Sequence, residues 1–305
     1  MKNFFHSLTQ ASRKKKHDAK EIKFVNRLRS AYYESFWREK TIESKTPGIG
    51  NDTAESITIS LTSYGARIET VYLTIESLMQ QSLKADRIVL CLVKNEFSEE
   101  NLPATLKSQR KRGLEIIFCD DDIRSYKKFF YTMRKYPKDL IITVDDDVIY
   151  PIDTVDLLYR AYIREPEVIH CNRAYQMTSN EQGMLSPYKK WNFDHTVSEP
   201  SFHTFPTGVG GVLYFPGSLD DAIFDKEVFL KLAPNADDVW LKAMSLKKAV
   251  KCRQIKNNRP FKERFIEIPG SQTISLKRTN KNKYSGNDLA ISQVFSKYDL
   301  YGIIG

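Results

Sequence analysis

Leu140-Ile141-Ile142-Thr143-Val144-Asp145-Asp146-Asp147 sets five uncharged, mostly branched residues directly before three acids. An unbroken apolar run of this length, rich in β-branched side chains, reads as a strand covered on both faces. Three like charges in a row repel one another and need a cation or hydrogen-bond donors to neutralise them. Hard cations such as Mg2+ and Mn2+ take oxygen ligands, commonly one or two carboxylates completed by phosphates. Ligands of open α/β sheets bind beyond the carboxyl ends of the strands, which is where these acids fall. The bland alternative is an acidic turn capping a helix after Pro151, a task Asp153 could perform alone.

The elements preceding this stretch have the same character. Ile57–Leu61, Arg87–Val93 and Leu114–Cys119 read as strands, and Val71–Gln81, Ala104–Arg112 and Lys127–Tyr136 as helices. Such alternation predicts a mostly parallel sheet covered by helices. No G-x-G-x-x-G follows the first strand and no G-K-[ST] loop occurs, which disfavours dinucleotide and triphosphate sites of those kinds. Past residue 150 the pattern predicts a helix over Thr154–Arg164, a strand over Val168–Cys171, a Gly/Pro/aromatic-rich stretch and further helices after Asp225.

Three other segments carry chemistry. Asp120-Asp121-Asp122-Ile123-Arg124-Ser125-Tyr126-Lys127-Lys128 follows the third strand and should face the same crevice. Asp121 or Asp122 could accept from a base edge and Arg124 or Lys127 could supply a cation, although local ion pairing would explain the pattern equally. Asp237-Asp238 follows Pro234-Asn235 at an expected helix start, where a helix N-terminus favours carboxylates. Gly208, Gly210 and Gly211 would let the backbone approach a ligand or make a hairpin turn.

Hydrophobic residues at 41% and aromatics at 12% describe a globular chain. No apolar run approaches the ~18–20 residues of a membrane span. Met1-Lys2-Asn3-Phe4-Phe5 lacks the apolar core of an export signal, so a cytoplasmic location is expected. Cys91, Cys119, Cys171 and Cys252 are expected to be buried free thiols, and His170 and Cys171, as strand neighbours, would point to opposite faces. The net charge of +9 is unevenly spread: residues 1–45 hold 12 Lys/Arg against 5 Asp/Glu, and residues 246–283 hold 12 against 2. Basic flanks of this kind suit an anionic partner. Residues 1–45 read as a helix with Arg13-Lys14-Lys15-Lys16 and with Phe24, Tyr32, Tyr33, Phe36 and Trp37, able to lie on a membrane or dock on the main domain. Thr46–Asp52 is a linker by composition.

With Ser60–Ile68, Arg124–Lys128, Thr143–Asp147, Pro206–Gly211 and Ala236–Asp238 in this order, the chain resembles GT-A-type glycosyltransferases, in particular a bacterial group related to family 2 enzymes. The resemblance runs over about residues 56–300. It implies an α/β, Rossmann-like GT-A domain over 53–305, with a nucleotide-binding half (53–150) and an acceptor-binding half (151–305), behind a basic helical segment over 1–52. It places Thr62, Ser63, Tyr64 and Arg67 at the base and ribose, and gives Asp121 or Asp122 the uracil edge. Arg124, Lys127, Asp145, Asp146, Gly210 and Gly211 would complete the donor site. Asp147, with Asp145, would hold Mn2+ or Mg2+, and Asp238 would be the catalytic base of an inverting transfer, beside Asp237.

The implied partners are a UDP-sugar and a glycan or lipid-linked glycan acceptor in surface polysaccharide or lipopolysaccharide synthesis, met at the inner face of an anionic membrane; nucleic acid is not expected. Two alternatives stand beside this. A sugar nucleotidyltransferase would need a Gly-rich basic loop after the first strand, of which Gly65-Ala66-Arg67 is a poor version; an inactive polyanion-binding adaptor would not need Asp145, Asp147 and Asp238 together. One departure is the absence of a late histidine, a frequent metal ligand of such enzymes, since the last histidine is His203. Lys262, Arg264, Lys277 and Arg278 could meet the diphosphate instead, and water, Asn287 or Asp288 could complete the metal shell. Trp191, Phe193, His195 and Phe202 could stack on a sugar or fill the core.

Overall fold

The computed structural model describes residues 2–193, 199–269 and 286–304. Four strands, Ile57–Thr62 (β1), Arg87–Val93 (β2), Leu114–Cys119 (β3) and Leu140–Thr143 (β4), run parallel in the order β3-β2-β1-β4. Before and between them lie the helices Lys2–Glu43 (α1), Val71–Met79 (α2), Ala104–Arg110 (α3) and Lys127–Lys135 (α4). Every residue of β4 is buried, as its apolar run requires of a strand sandwiched between helical layers.

The later chain forms Val148–Ile149 (β5), Thr154–Arg164 (α5), Ile169–Cys171 (β6), Ala174–Gln176 (β7), Asn192–Phe193 (β8), Thr204–Pro206 (β9) and Val212–Tyr214 (β10). There follow Lys226–Leu232 (α6), Asp237–Lys247 (α7), Cys252–Gln254 (β11), Phe261–Arg264 (α8), Ile266–Glu267 (β12), Asn287–Lys297 (α9) and Tyr301–Ile304 (α10). β10 inserts antiparallel between β4 and β6, giving a seven-stranded sheet of order β11-β6-β10-β4-β1-β2-β3. The expected α/β, mostly parallel, Rossmann-like sheet is what the chain forms. Its connections run from β1 toward β3 and then return across β1 to β4. The order therefore reverses between β1 and β4, and a crevice opens at their carboxyl ends.

Several local expectations are corrected. The three helices between the strands end one or two residues early, and β4 stops at Thr143. The glycine segment is not a hairpin: β9 pairs with β7 in a separate three-stranded sheet, whereas β10 pairs with β4 and β6. Gly208–Gly210 make a single 3-10 turn between the sheets, and Gly211 has φ +85°, a conformation that favours glycine. Asp153 stands at the N-cap of α5 but makes no side-chain cap; its carboxylate faces Arg264 at 3.5 Å.

Docking accounts for one face of α1. Ser30, Tyr33, Trp37 and Thr41 recur at the spacing of one helical face and turn inward, with Tyr33 and Trp37 packed on the main core. Beneath them Glu76 and Arg112, both fully buried, form an ion pair of 2.7 Å and 3.0 Å. Thr41 and Gln109 also donate to that carboxylate. A paired buried charge is tolerated when its remaining hydrogen-bond sites are filled, and here they are. All four cysteines are buried and free, and His170 bonds the Glu165 carbonyl. No helix among the described residues is long and apolar enough to cross a membrane.

Candidate active site

The crevice beyond β1 and β4 is a cavity of about 440 Å3. Seven carboxylates line it, Glu96, Asp122, Asp145, Asp146, Asp147, Asp237 and Asp238, against the four cations Arg67, Arg124, Lys127 and Lys128. Low-dielectric walls and surplus negative charge call for a further cation whenever an anionic ligand enters.

The three consecutive acids have three different environments. Asp146 is buried and accepts from Ser63 Oγ at 2.7 Å and from Arg67. Burial raises its pKa, while Arg67 and Ser63 pull it back. Asp147 faces Arg67 Nη2 at 3.2 Å, and its carbonyl accepts from Ile268 N–H at 2.9 Å. Asp145, a third exposed at its side chain, lies 3.2 Å from Lys128 Nζ. Tyr150 holds the turn in place: its hydroxyl accepts from Asp145 N–H at 2.9 Å and donates to the Val209 carbonyl at 3.2 Å. The backbone between two short strands thus separates carboxylates that are adjacent in sequence.

The later acids arrive from α7, whose first turn contains Asp237 and Asp238. The segment after β3 fastens that helix start: Arg124 Nη1 donates to the Pro234 carbonyl and Asn235 Oδ1, Ser125 Oγ to Asp237 Oδ1, and Tyr126 OH to the Ala233 carbonyl. Arg124 has φ +57°, a strained conformation for this residue type that the clasp maintains. Lys128 lies between the two acid groups, buried, with its ammonium 2.6 Å from Asp237 and 3.2 Å from Asp145. Burial works against that charge, but Asp237, Asp145 and Asp238 outweigh it and hold the Lys128 pKa well above its usual range. Asp238 accepts from Gly208 N–H at 3.1 Å. Burial, reinforced by Asp237, pushes the Asp238 pKa up to about 7 although Lys128 opposes the rise.

The other sequence candidates divide. Thr62, Tyr64, Arg67, Asp122, Arg124 and Lys127 line the cavity, whereas Ser63 lies behind it as the support of Asp146. Asp122 is paired with Lys127, and burial of Asp122 is outweighed so that its pKa is lowered. Asp121 turns out to Lys226 at 2.6 Å. Gly210 and Gly211 are outside the lining; a Cβ on Gly210 would strike Phe261, Arg173 and Asn172. Gly208 instead abuts the acids, since a Cβ there would lie 2.7 Å from Lys128 Nζ, 3.2 Å from Asp145 Oδ1 and 3.3 Å from Asp238 Oδ1. Arg264 is buried against Asp153, and the Lys262 carbonyl accepts from Asn26, so neither contributes to the lining. Asn287 lines the cavity, while Asp288 accepts from Tyr188 N–H. His203 bonds the Ile304 carbonyl. Trp191 is core, and Phe193 is exposed beneath the Arg173 guanidinium. His195, Lys277 and Arg278 lie outside the described residues. Lys128 and Gly208 lie in segments that the sequence singles out, but without the roles they have here; Tyr150 carries no sequence signal of its own, because only the fold brings it to the acids.

An all-oxygen donor set with surplus negative charge and glycine backbone beside it fits Mg2+ or Mn2+. Among the described residues no three carboxylates of the cleft converge as ligands; the one converging group is the exposed His17, Asp18 and Glu21 on α1. Any cation held in the cleft would therefore need its shell completed by a ligand's own oxygens or water.

No known family and no curated protein matches the sequence. Among solved structures, a mannosyltransferase from Pyrobaculum calidifontis in complex with GDP-Man and Mn2+ is 12% identical, with 90% of this chain and 74% of that one covered and a TM-score of 0.45. A 4-diphosphocytidyl-2C-methyl-D-erythritol synthase from Anaerococcus prevotii is 13% identical, covering 72% and 95%, with a TM-score of 0.46. An inositol-1-phosphate CTP transferase from T. maritima is 10% identical, covering 83% and 98%, with a TM-score of 0.43. These neighbours are enzymes of glycosyl and nucleotidyl transfer. Likeness at this level leaves the chemistry of the present chain to be argued from its own cleft.

Proposed function

We propose that the chain transfers a sugar from a UDP-sugar to an acceptor hydroxyl, with inversion, and that a glycan or lipid-linked glycan of the cell surface is the acceptor. The observation that carries this is the convergence of unlike acids in one cavity: strand-end carboxylates paired with Arg67 and Lys128, and Asp238 on the first turn of α7, whose pKa burial raises to about 7. A base with a pKa near the working pH is suited to taking a hydroxyl proton as the new glycosidic bond forms. Arg67 and Asp146 brace the turn from which Asp145 and Asp147 would hold Mn2+ or Mg2+. Such an ion, when bound, offsets the charge that grows on a departing diphosphate. Thr62, Tyr64 and Asp122, which line the cavity, would receive the nucleoside, and Asp238 would take the acceptor proton. One carboxylate acting from the face opposite the leaving group gives inversion, as in inverting glycoside hydrolysis.

The nucleotidyltransferase alternative meets one specific obstacle. Gly65 N–H, in the loop after β1 that would cradle a triphosphate, donates to Glu96 at 2.6 Å, setting a carboxylate against it. Thermal unfolding with Mn2+ and a panel of UDP-sugars, GDP-mannose and CTP discriminates the readings, since a ligand of the native state raises the melting temperature. Stabilisation by a UDP-sugar is expected; stabilisation by CTP alone would overturn the assignment in favour of nucleotidyl transfer.

A further inference from the structure

Six of the twelve exposed large apolar side chains among the described residues belong to α1: Phe24, Val25, Leu28, Tyr32, Phe36 and Ile42. Phe24, Leu28, Tyr32 and Phe36 recur every fourth residue, forming one row along the helix. Their exposures of 62, 57, 61 and 45% show that none packs on the domain. The row lies opposite the face that docks through Ser30, Tyr33, Trp37 and Thr41. Rotation cannot hide it, because Asn26 and Arg29 donate to the Lys262 and Glu263 carbonyls and Thr41 bonds Glu76. Contiguous apolar rows held out in water mark an interaction surface.

Charge selects the occupant. α1 contains 11 Lys/Arg against 5 Asp/Glu, with Arg13-Lys14-Lys15-Lys16 on the N-terminal side of the row. Two copies meeting through this row would bring like-charged helices together, whereas an anionic surface attracts both features of the helix. The placement is also directed. Asn26 and Arg29 hold α8, which leads through β12 to Ile268, and Ile268 bonds the Asp147 carbonyl. Phe24 and Leu28 therefore flank the middle stretch of α1 that is joined, through Asn26 and Arg29, to the acid turn.

We infer that the outer face of α1 docks on an anionic lipid bilayer, with the Phe24-Leu28-Tyr32-Phe36 row entering the headgroup boundary and the basic residues on the lipid phosphates. This deepens the proposed function, and rests on it, only in naming the surface where a lipid-linked acceptor would be met.

The test is flotation of the full chain with vesicles of phosphatidylcholine alone or mixed with phosphatidylglycerol. Binding to the mixed vesicles is expected, weakened by about tenfold or more in 1 M salt, where the screening length falls to roughly 3 Å. The pair Leu28→Ser/Tyr32→Ser should lower vesicle binding at least about tenfold at an unchanged unfolding midpoint, since both residues are exposed. Lys14→Gln/Lys15→Gln/Lys16→Gln should do the same specifically for anionic vesicles. Equal binding to both lipid mixtures, no binding, or binding indifferent to both variants overturns the inference. So does a dimer in solution that Leu28→Ser/Tyr32→Ser converts to monomer without any vesicle binding, which would assign the row to a second copy. UDP-sugar titrations without vesicles report on the catalytic reading separately, so failure of one leaves the other standing.

Discussion

Two ionic clusters among the described residues, one buried under α1 and one lining the cleft, are built to opposite rules. Under α1, one carboxylate (Glu76) meets one guanidinium (Arg112), and Thr41, Gln80 and Gln109 fill the remaining acceptor sites. Burial of Glu76 is outweighed by these partners, so its pKa is lowered and its charge is fixed. At the ends of β1 and β4, seven carboxylates face four cations, and Asp238 is pushed the other way. A balanced cluster joins elements; an unbalanced one stores electrostatic free energy that a ligand or a proton can release.

Four substitutions test this contrast, taken from the largest expected effect down. Asp238→Asn should lower transfer by about 10²–10⁴-fold while leaving UDP-sugar affinity within a few fold, measured by turnover and calorimetry. Near-normal turnover would remove Asp238 as base. The same variant has a second signature. The folded-state pKa of Asp238 lies above its unfolded value, so ionising it opposes folding, and its unfavourable contribution grows as pH rises from about 4 to about 7. Asp238→Asn should therefore be more stable than the parent by roughly 1–3 kcal/mol near pH 7 and no more stable near pH 4.

Arg112→Met strands the Glu76 carboxylate and should cost about 3–5 kcal/mol in denaturant unfolding, with ligand affinity of the folded fraction unchanged. A milder loss would mean that the cluster under α1 is solvated after all. Asp147→Asn should reduce Mn2+-dependent UDP-sugar affinity at least about tenfold by calorimetry; unchanged affinity would exclude Asp147 as a metal ligand. Gly208→Ala drives a methyl group against Lys128 and should cost about 1–3 kcal/mol in unfolding free energy through overpacking. Indifference there would show that Lys128 is free to move away from Asp145 and Asp237.

Much of the fold was legible because it depends on short-range pattern. The apolar runs of β1 to β4 and the helices between them could be read within two residues, and the parallel sheet follows from their alternation. Asp145–Asp147 and Asp237-Asp238 could be singled out because like charges in a row are costly. What pattern could not supply was orientation. It treated the three strand-end acids as one group, yet Asp146 turns to Ser63 and Arg67 while Asp145 turns to Lys128. It singled out Gly208, Gly210 and Gly211 together and gave the donor site to the last two, whereas Gly208 is the one that abuts the acids, because the crossing from β9 to β10 changes sheets instead of making a hairpin.

The sequence alone thus determined that β4 is buried, that three acids follow it at a strand end, and that a basic helix precedes the domain. Those are statements about residues near one another along the chain, set by hydrophobic period and local charge. Only the tertiary structure decided which of the three acids remains partly open at Asp145, that Lys128 and Asp238 meet it from α4 and α7, and which face of α1 stays in water. These depend on contacts between residues tens to more than a hundred positions apart, whose geometry no local pattern encodes.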